Sequence, residues 1–272
     1  MLGSRCSGVS GFAGTDLLTA AERIAQEAAA AIMAIYARGF SVEEKADNSP
    51  LTEADQAAHR LIMAGLAALP QRLPILSEED VAGFAGPDAE GRYWLVDPLD
   101  GTKEFIKRND EFTVNIALIE NGRPVLGVVV APALEVSYLA AEGVGAFKVE
   151  WGKGRSGERL PIRVAGKPVP GSTWRVVGSR SHASPALAGW LETLGPHTLQ
   201  PVGSSLKSCL VAEGAADAYP RFGPTCLWDT GAAQAVVEQA GGRITNLAGD
   251  SLCYATPQRV LNPDFIVWGH SG

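Results

Sequence analysis

Cysteine is sparse, with four among 272 residues at positions 6, 209, 226 and 253. None forms a Cys-x-x-Cys pair or lies near a histidine at zinc spacing, so no thiolate metal site is indicated, and the thiols read as reduced groups in a reducing compartment. Positive charge is also short: 23 Lys and Arg stand against 30 Asp and Glu, a net charge of −7. A broad basic surface for nucleic acid is therefore not expected, although a local basic pocket is compatible with that balance. No apolar run is long enough to span a bilayer, the first residues hold no apolar signal core, and no internal repeat is present. Gly143-Val144-Gly145 lacks the third glycine of a dinucleotide loop.

What is present is an ordinary globular composition, 46% apolar and 19% charged, long enough for one large or two ordinary domains. Residues 1–14 read as a disordered extension. Apolar residues from Leu17 to Ile35 recur at helical spacing, predicting a helix over 15–38 with Thr19 and Glu22 as a capping box. Thr52 opens a second helix that Pro70 ends. Residues 73–76 read as a strand, and 81–92, rich in Gly, Ala and Pro, as a mobile loop. Residues 113–149 alternate strands and turns, with Asn121-Gly122 as a strong hairpin signal, so an antiparallel meander is expected. The polar stretch 152–171 contains Lys153, Arg155, Arg159, Arg163 and Lys167 and reads as a solvated connector. The division is placed there, giving halves of 15–160 and 161–272. The second half alternates strands and helices (helices at 183–194, 205–213 and 229–240), the pattern of a mixed sheet with helices on its faces.

Four acidic clusters carry the chemistry: Thr52-x-x-Asp55, Glu78-Glu79, Asp97-Pro98-Leu99-Asp100-Gly101-Thr102 and Trp228-Asp229. Each falls at the end of a strand or the start of a helix, where groups distant in sequence can converge. Carboxylate oxygens suit hard cations, and backbone N–H groups after Gly101 suit an anion. Taken singly, Asp55 and Asp229 also read as helix caps and Glu78-Glu79 as an exposed charged turn.

Leu76-Ser77-Glu78-Glu79, Trp94-Leu95-Val96-Asp97-Pro98-Leu99-Asp100-Gly101-Thr102 and Trp228-Asp229-Thr230-Gly231-Ala232 resemble the signature segments of the inositol monophosphatase superfamily, Mg²⁺-dependent and Li⁺-sensitive phosphatases. The resemblance runs from about residue 15 to 268. Within the superfamily the chain is most similar to the 3′(2′),5′-bisphosphate nucleotidases. Three segments carry this: Lys103-Glu104-Phe105-Ile106 after Thr102, Gly203-Ser204-Ser205-Leu206-Lys207, and Tyr219-Pro220-Arg221-Phe222-Gly223-Pro224-Thr225. Inositol phosphatases tend to carry an acid before that glycine to hold an inositol hydroxyl. Here Arg221 and Phe222 stand there, which suits a nucleotide better.

The resemblance implies a five-layer αβαβα fold, an N-terminal antiparallel-sheet α+β half meeting a C-terminal mixed-sheet α/β half. It implies two Mg²⁺ ions, or three. Glu78, Asp97 and the Leu99 carbonyl would hold one, and Asp97, Asp100 and Asp229 a second about 4 Å away. Thr102, oriented by Asp55, would position and help deprotonate the attacking water, and the N–H groups of Gly101 and Thr102 would bind the scissile phosphate. Lys45 would lie close to that phosphate. Ser179, His182, Gly203 and Lys207 match nucleotide-contacting positions; Arg180 and Arg221 are added on charge. The implied reaction takes adenosine 3′,5′-bisphosphate to AMP and phosphate, with PAPS as a further substrate, in the clearing of a by-product of sulfate assimilation. The rival readings are an inositol or sugar phosphate phosphatase and a member with a non-catalytic, partner-binding role. A cytoplasmic place, or a peripheral one at the inner membrane, follows as an expectation, and a homodimer is compatible with the sequence.

Overall fold

The computed structural model describes residues 14–38, 40, 42–44, 50–152, 154–180 and 185–272. Of the extension expected over 1–14, residues 1–13 lie outside them, as do Lys45, Lys153 and His182, whereas Gly14 is the first residue of a helix.

Helix α1 (Gly14–Tyr36) is followed by the short ladder β1 (Val42–Glu44) and β2 (Pro50–Thr52), then α2 (Glu53–Ala67). Next come β3 (Ile75–Ser77), β4 (Arg92–Asp100), the short α3 (Thr102–Lys107), β5 (Thr113–Glu120), β6 (Arg123–Ala131), β7 (Val136–Ala141), β8 (Gly145–Glu150) and β9 (Arg159–Pro161). The remainder runs β10 (Trp174–Ser179), α4 (Pro185–Leu194), β11 (His197–Val202), α5 (Leu206–Ala212), β12 (Ala218–Arg221), α6 (Gly231–Gln239), β13 (Arg243–Asn246) and β14 (Phe265–Trp268).

Strands β3 to β9 lie in sequence order in one seven-stranded sheet, antiparallel except for the β3–β4 pair. The other sheet has the order β11-β10-β12-β14-β13 and mixes parallel with antiparallel pairs. Alternation along β4 divides the core. Trp94 and Val96 pack under α1 and α2, while Tyr93 and Leu95 face the opposite way, toward α5 and α6. That second cluster continues through Val177, Tyr219 and Val267 of the smaller sheet. Its outer face carries α4 through Val176, Leu187 and Leu191. The layers are therefore α1/α2, large sheet, α5/α6, small sheet and α4, the five-layer arrangement that the resemblance implied.

Local chemistry explains several joints. Asn121 and Gly122 have φ of 50° and 77°, the double left-handed turn that fits the twist of the β5–β6 hairpin. Gly127 on β6 lies so close to α6 that a Cβ there would sit 2.1 Å from the Ala232 carbonyl oxygen, so the backbone itself is the packing surface.

Three expectations are corrected. Thr19 and Glu22 do not cap α1, which starts at Gly14; Thr19 Oγ1 donates to the Thr15 carbonyl one turn back, and Glu22 pairs with Arg159 at 2.6 Å. The expected helix over 229–240 is broken: Leu227–Asp229 forms a 3₁₀ turn and α6 begins at Gly231. The 81–92 segment is tied down, with Asp88 accepting from Arg92 Nε at 2.9 Å and Phe84 packing on Tyr93 at 5.3 Å.

Candidate active site

Residues 97 and 100 would project to opposite faces of a regular strand. Here Asp97 pairs with Asn115 and Asp100 with Thr113, so three steps on β4 answer two on β5. The bulge absorbs one residue at Pro98-Leu99, where proline has no N–H to give to a ladder, and both carboxylates emerge on one face. β3 ends beside Val96, and Glu78 N–H donates to the Val96 carbonyl at 3.1 Å, which sets the Glu78 side chain against Asp97 in hydrogen-bond contact. Asp229 arrives from the 3₁₀ turn before α6. Its Oδ2 accepts the Cys226 N–H at 2.8 Å, and Tyr254, donating to Gln234 at 2.7 Å, packs its hydroxyl 3.0 Å from Thr230.

Ligating oxygens of Asp97, Asp100 and Asp229 all lie within 4.8 Å of one another. Each of these carboxylates spends one oxygen on a backbone N–H: Asp97 Oδ1 on Leu99 at 3.0 Å, Asp100 Oδ2 on Ser205 at 2.6 Å, Asp229 Oδ2 on Cys226. Burial, then repulsion by Glu78 and the other two acids, pushes Asp97 well above the usual carboxylate range. Burial and Asp100 do the same to Asp229. Asp100 is pushed up to about 6 by burial, against the opposing pull of Lys207 and the Ser205 N–H. Crowded, half-engaged carboxylates with uncompensated charge are the donor set a hard divalent cation fits.

Asp55 and Thr102 stand beside this cluster. Asp55 closes the capping box of α2, its Oδ2 accepting from Thr52 N–H at 2.8 Å and Thr52 O–H at 2.6 Å. Its Oδ1 accepts from Thr102 Oγ1 at 3.3 Å, and Thr102 Oγ1 is 3.2 Å from the Leu99 carbonyl. Asp55 thus caps α2 with one oxygen and meets Thr102 with the other. Gly101, at φ 89°, turns the chain from β4 into α3 in the left-handed region.

A second cavity of about 140 Å³ adjoins the acidic one, sharing Asp100, Gly101, Lys103, Glu104 and Asp229 with it. Ser179 and Gly203 line it, and two cations form its floor. Lys207 is 6% exposed; its Nζ donates to the Ser204 carbonyl at 2.5 Å and lies 5.2 Å from the Tyr219 ring centre. Burial lowers Lys207 to about 8. Arg221, 8% exposed, donates from Nη2 to the Pro224 carbonyl at 2.8 Å, while its buried Nε finds no protein acceptor among the described residues. Two sequestered cations, one with an unused donor, are a lining that suits an anion, and they lie next to an acidic cluster.

Arg180 does not join this floor. It donates to both oxygens of Glu111 at 2.7 and 2.9 Å. The same Glu111 accepts the Gly203 N–H at 2.7 Å, so Gly203 shapes the wall with that donor already engaged. Sequence reasoning missed Glu111 and the buried polar trio Thr113, Asn115 and Ser205. The signal for two of them was Thr113 and Asn115 alternating inside an otherwise apolar strand.

The chain belongs to the inositol monophosphatase family, whose pattern matches residues 15–268. It is 51% identical over 247 residues to the 3′(2′),5′-bisphosphate nucleotidase CysQ of Escherichia coli strain K12, covering 90% of this chain and 96% of that protein. Among solved structures, CysQ from Bacteroides thetaiotaomicron superposes with a TM-score of 0.80 at 41% identity, over 94% of this chain and 98% of that one. The inositol monophosphatase of Anabaena (Nostoc) sp. PCC 7120 gives 0.71 at 25% identity, over 94% and 92%.

Proposed function

We propose that this protein hydrolyses the 3′-phosphate of adenosine 3′,5′-bisphosphate, yielding AMP and phosphate, with PAPS as a second substrate of the same chemistry. The observation that carries the reading is the Lys207–Arg221 floor beside the acidic cluster: one anionic group can sit at the acids while another meets two buried cations. Half-identity to CysQ over nine-tenths of the chain supports it, and the role that goes with this substrate is the clearing of a by-product of sulfate assimilation. Inositol 1-phosphate has no second phosphate to place on that floor.

Members of this family depend on metal ions, and the acidic cluster is able to hold one. In the proposed arrangement Glu78, Asp97 and the Leu99 carbonyl would hold one Mg²⁺, and Asp97, Asp100 and Asp229 would hold another. When bound, such ions polarise the phosphoryl oxygens and ease ionisation of the attacking water. Thr102 orients that water through Oγ1 and takes its proton while passing its own to Asp55 Oδ1. The water oxygen bonds phosphorus as the bond to the ribose 3′-oxygen breaks, and that oxygen picks up a proton from solvent. Gly101 and Thr102 present their N–H groups to the phosphate. Ser179, Lys207 and Arg221 hold the nucleotide end, with His182 assigned there from the sequence alone. The labour divides between the halves: residues 15–160 supply most of the acids and 161–272 the basic floor, with Asp229 crossing between them.

Phosphate release with Mg²⁺ from adenosine 3′,5′-bisphosphate and from inositol 1-phosphate, each with and without Li⁺, tests the reading. A preference of about 100-fold for the nucleotide, about 2.7 kcal/mol in the transition state, is expected, with inhibition by Li⁺. Preference for the inositol ester would overturn the substrate assignment and leave the acidic cluster's role standing.

A further inference from the structure

Behind Asp100 lies a buried polar group that the hydrolysis scheme does not use. Thr113 and Asn115, 0% and 1% exposed on β5, meet Ser205, 5% exposed, from the turn that opens α5. Thr113 Oγ1 is 3.4 Å from Asp100 Oδ2 and 2.8 Å from Ser205 Oγ. Ser205 Oγ is in turn 2.8 Å from the Asn115 side-chain oxygen. Three oxygen–oxygen contacts thus run from a carboxylate to an amide oxygen with only two hydroxyl protons to serve them. Meanwhile Asn115 Nδ2, with two protons, is buried without a protein partner among the described residues.

A carboxamide has nearly the same outline with its oxygen and nitrogen exchanged. Turned over, Asn115 supplies the missing proton and every contact has one donor. We infer that Asn115, Ser205 and Thr113 form a directed hydrogen-bond chain ending on Asp100 Oδ2, which presents Asp100 to the acidic cluster as a one-oxygen ligand. Asn115 Nδ2 donates to Ser205, the Ser205 hydroxyl to Thr113, and the Thr113 hydroxyl to Asp100. The Ser205 N–H, at 2.6 Å, grips the same carboxylate oxygen. Asp100 Oδ1 accepts no hydrogen bond among the described residues and is the oxygen left for a cation. The chain reverses no charge; it fixes which oxygen is offered and in what direction. Thr113 and Asn115 lie behind both cavities and are positioning residues. The inference rests on reading the acidic cluster as a divalent-metal site.

The test is calorimetric titration of the full-length, metal-free protein with Mn²⁺, alongside melting in EDTA. Thr113→Val and Ser205→Ala should each weaken Mn²⁺ binding about 10-fold or more, the usual effect of losing a ligand's hydrogen-bond partner. Thr113→Ser, which keeps the hydroxyl, should restore binding to near wild type. A chain that served only to hold the fold would lower the melting temperature in EDTA and leave the Mn²⁺ affinity alone. Unchanged affinity in both Thr113→Val and Ser205→Ala would overturn the inference. If neither variant folds, the Asn115 side-chain amide proton shifts in the wild type decide: one proton well downfield of its partner supports donation to Ser205, and two protons near free-amide positions refute it. Failure of the wild type itself to bind Mn²⁺ would instead sink the metal reading.

Discussion

Asp55 reaches Thr102 with one carboxylate oxygen, at 3.3 Å, while the other closes the first turn of α2 around Thr52. The two jobs are separable by substitution. Asp55→Ala removes both, and should cost about 1 kcal/mol of stability through the lost cap together with a 10²- to 10⁴-fold fall in kcat. Asp55→Asn keeps an acceptor for Thr52 but is no base. It should melt near the wild type and lose activity to a similar degree. Equal stability loss in both variants would show that the amide fails as a cap.

Metal-free stability should depend on pH through the acidic cluster. Asp100 ionises at about 6 in the folded chain against an ordinary 3.8, so the folded state holds its proton more tightly than the unfolded one. A raised carboxylate stabilises the fold below its ordinary value and loses that contribution as pH rises through the folded one. In EDTA, the stability of wild type relative to Asp100→Asn should therefore fall between about pH 4 and about pH 6. Mg²⁺ should reverse the difference above that range, because Asp100 is among the residues proposed to hold the ion and the Asn variant would hold it more weakly. Chemical denaturation of both proteins across the series measures it, and in EDTA a rise in the stability of wild type relative to the variant with increasing pH would contradict the sign.

Arg221 has a buried donor with no protein acceptor, so its effect should follow the substrate's second anion. Arg221→Met should raise KM for adenosine 3′,5′-bisphosphate about 10- to 100-fold, as expected for hydrogen bonds to a charged group. With a monoester that carries one phosphate, the change should stay within about threefold. An equal loss on both substrates would place Arg221 at the scissile phosphate instead.

The Arg180–Glu111 pair spans the halves, with side chains 43% and 20% exposed. Such a pair contributes at most about 1 kcal/mol to stability. Its larger effect should be on the substrate wall, because Glu111 also holds the Gly203 N–H. Glu111→Gln should keep Gly203 in place and change KM little, whereas Glu111→Ala should raise KM more than about threefold by misplacing the wall. Steady-state kinetics of the two variants, beside Arg180→Ala, separates the roles.

Much of the frame was legible because it is written in short-range patterns. The Asn121-Gly122 turn, the alternation along β5 to β8 and Thr52 ahead of α2 are local signals, and each element formed where they put it. The Thr19–Glu22 motif has the right letters but sits inside a helix already under way from Gly14, where Glu22 is drawn to Arg159, 137 residues away. Asp97, Asp100 and Asp229 were legible as acids at element ends. Their convergence depends on a bulge at Pro98-Leu99 that letters alone do not reveal. The engagement of Arg180 by Glu111, and of Asp100 by Ser205, joins residues 69 and 105 positions apart. No periodicity encodes such a pairing, because it exists only after the two sheets have packed on the same helices.

The close seat of Ala232 on Gly127 has a kinetic consequence. Helix α6 packs against β5 to β8 on one side and β13 on the other, so it acts as a rivet through both sheets. A hinge opening along that seam would have to strip backbone from backbone in the driest part of the molecule. The Gly127–Ala232 contact therefore resists a swing of one half away from the other, because backbone meets backbone there with no side chain between to give way.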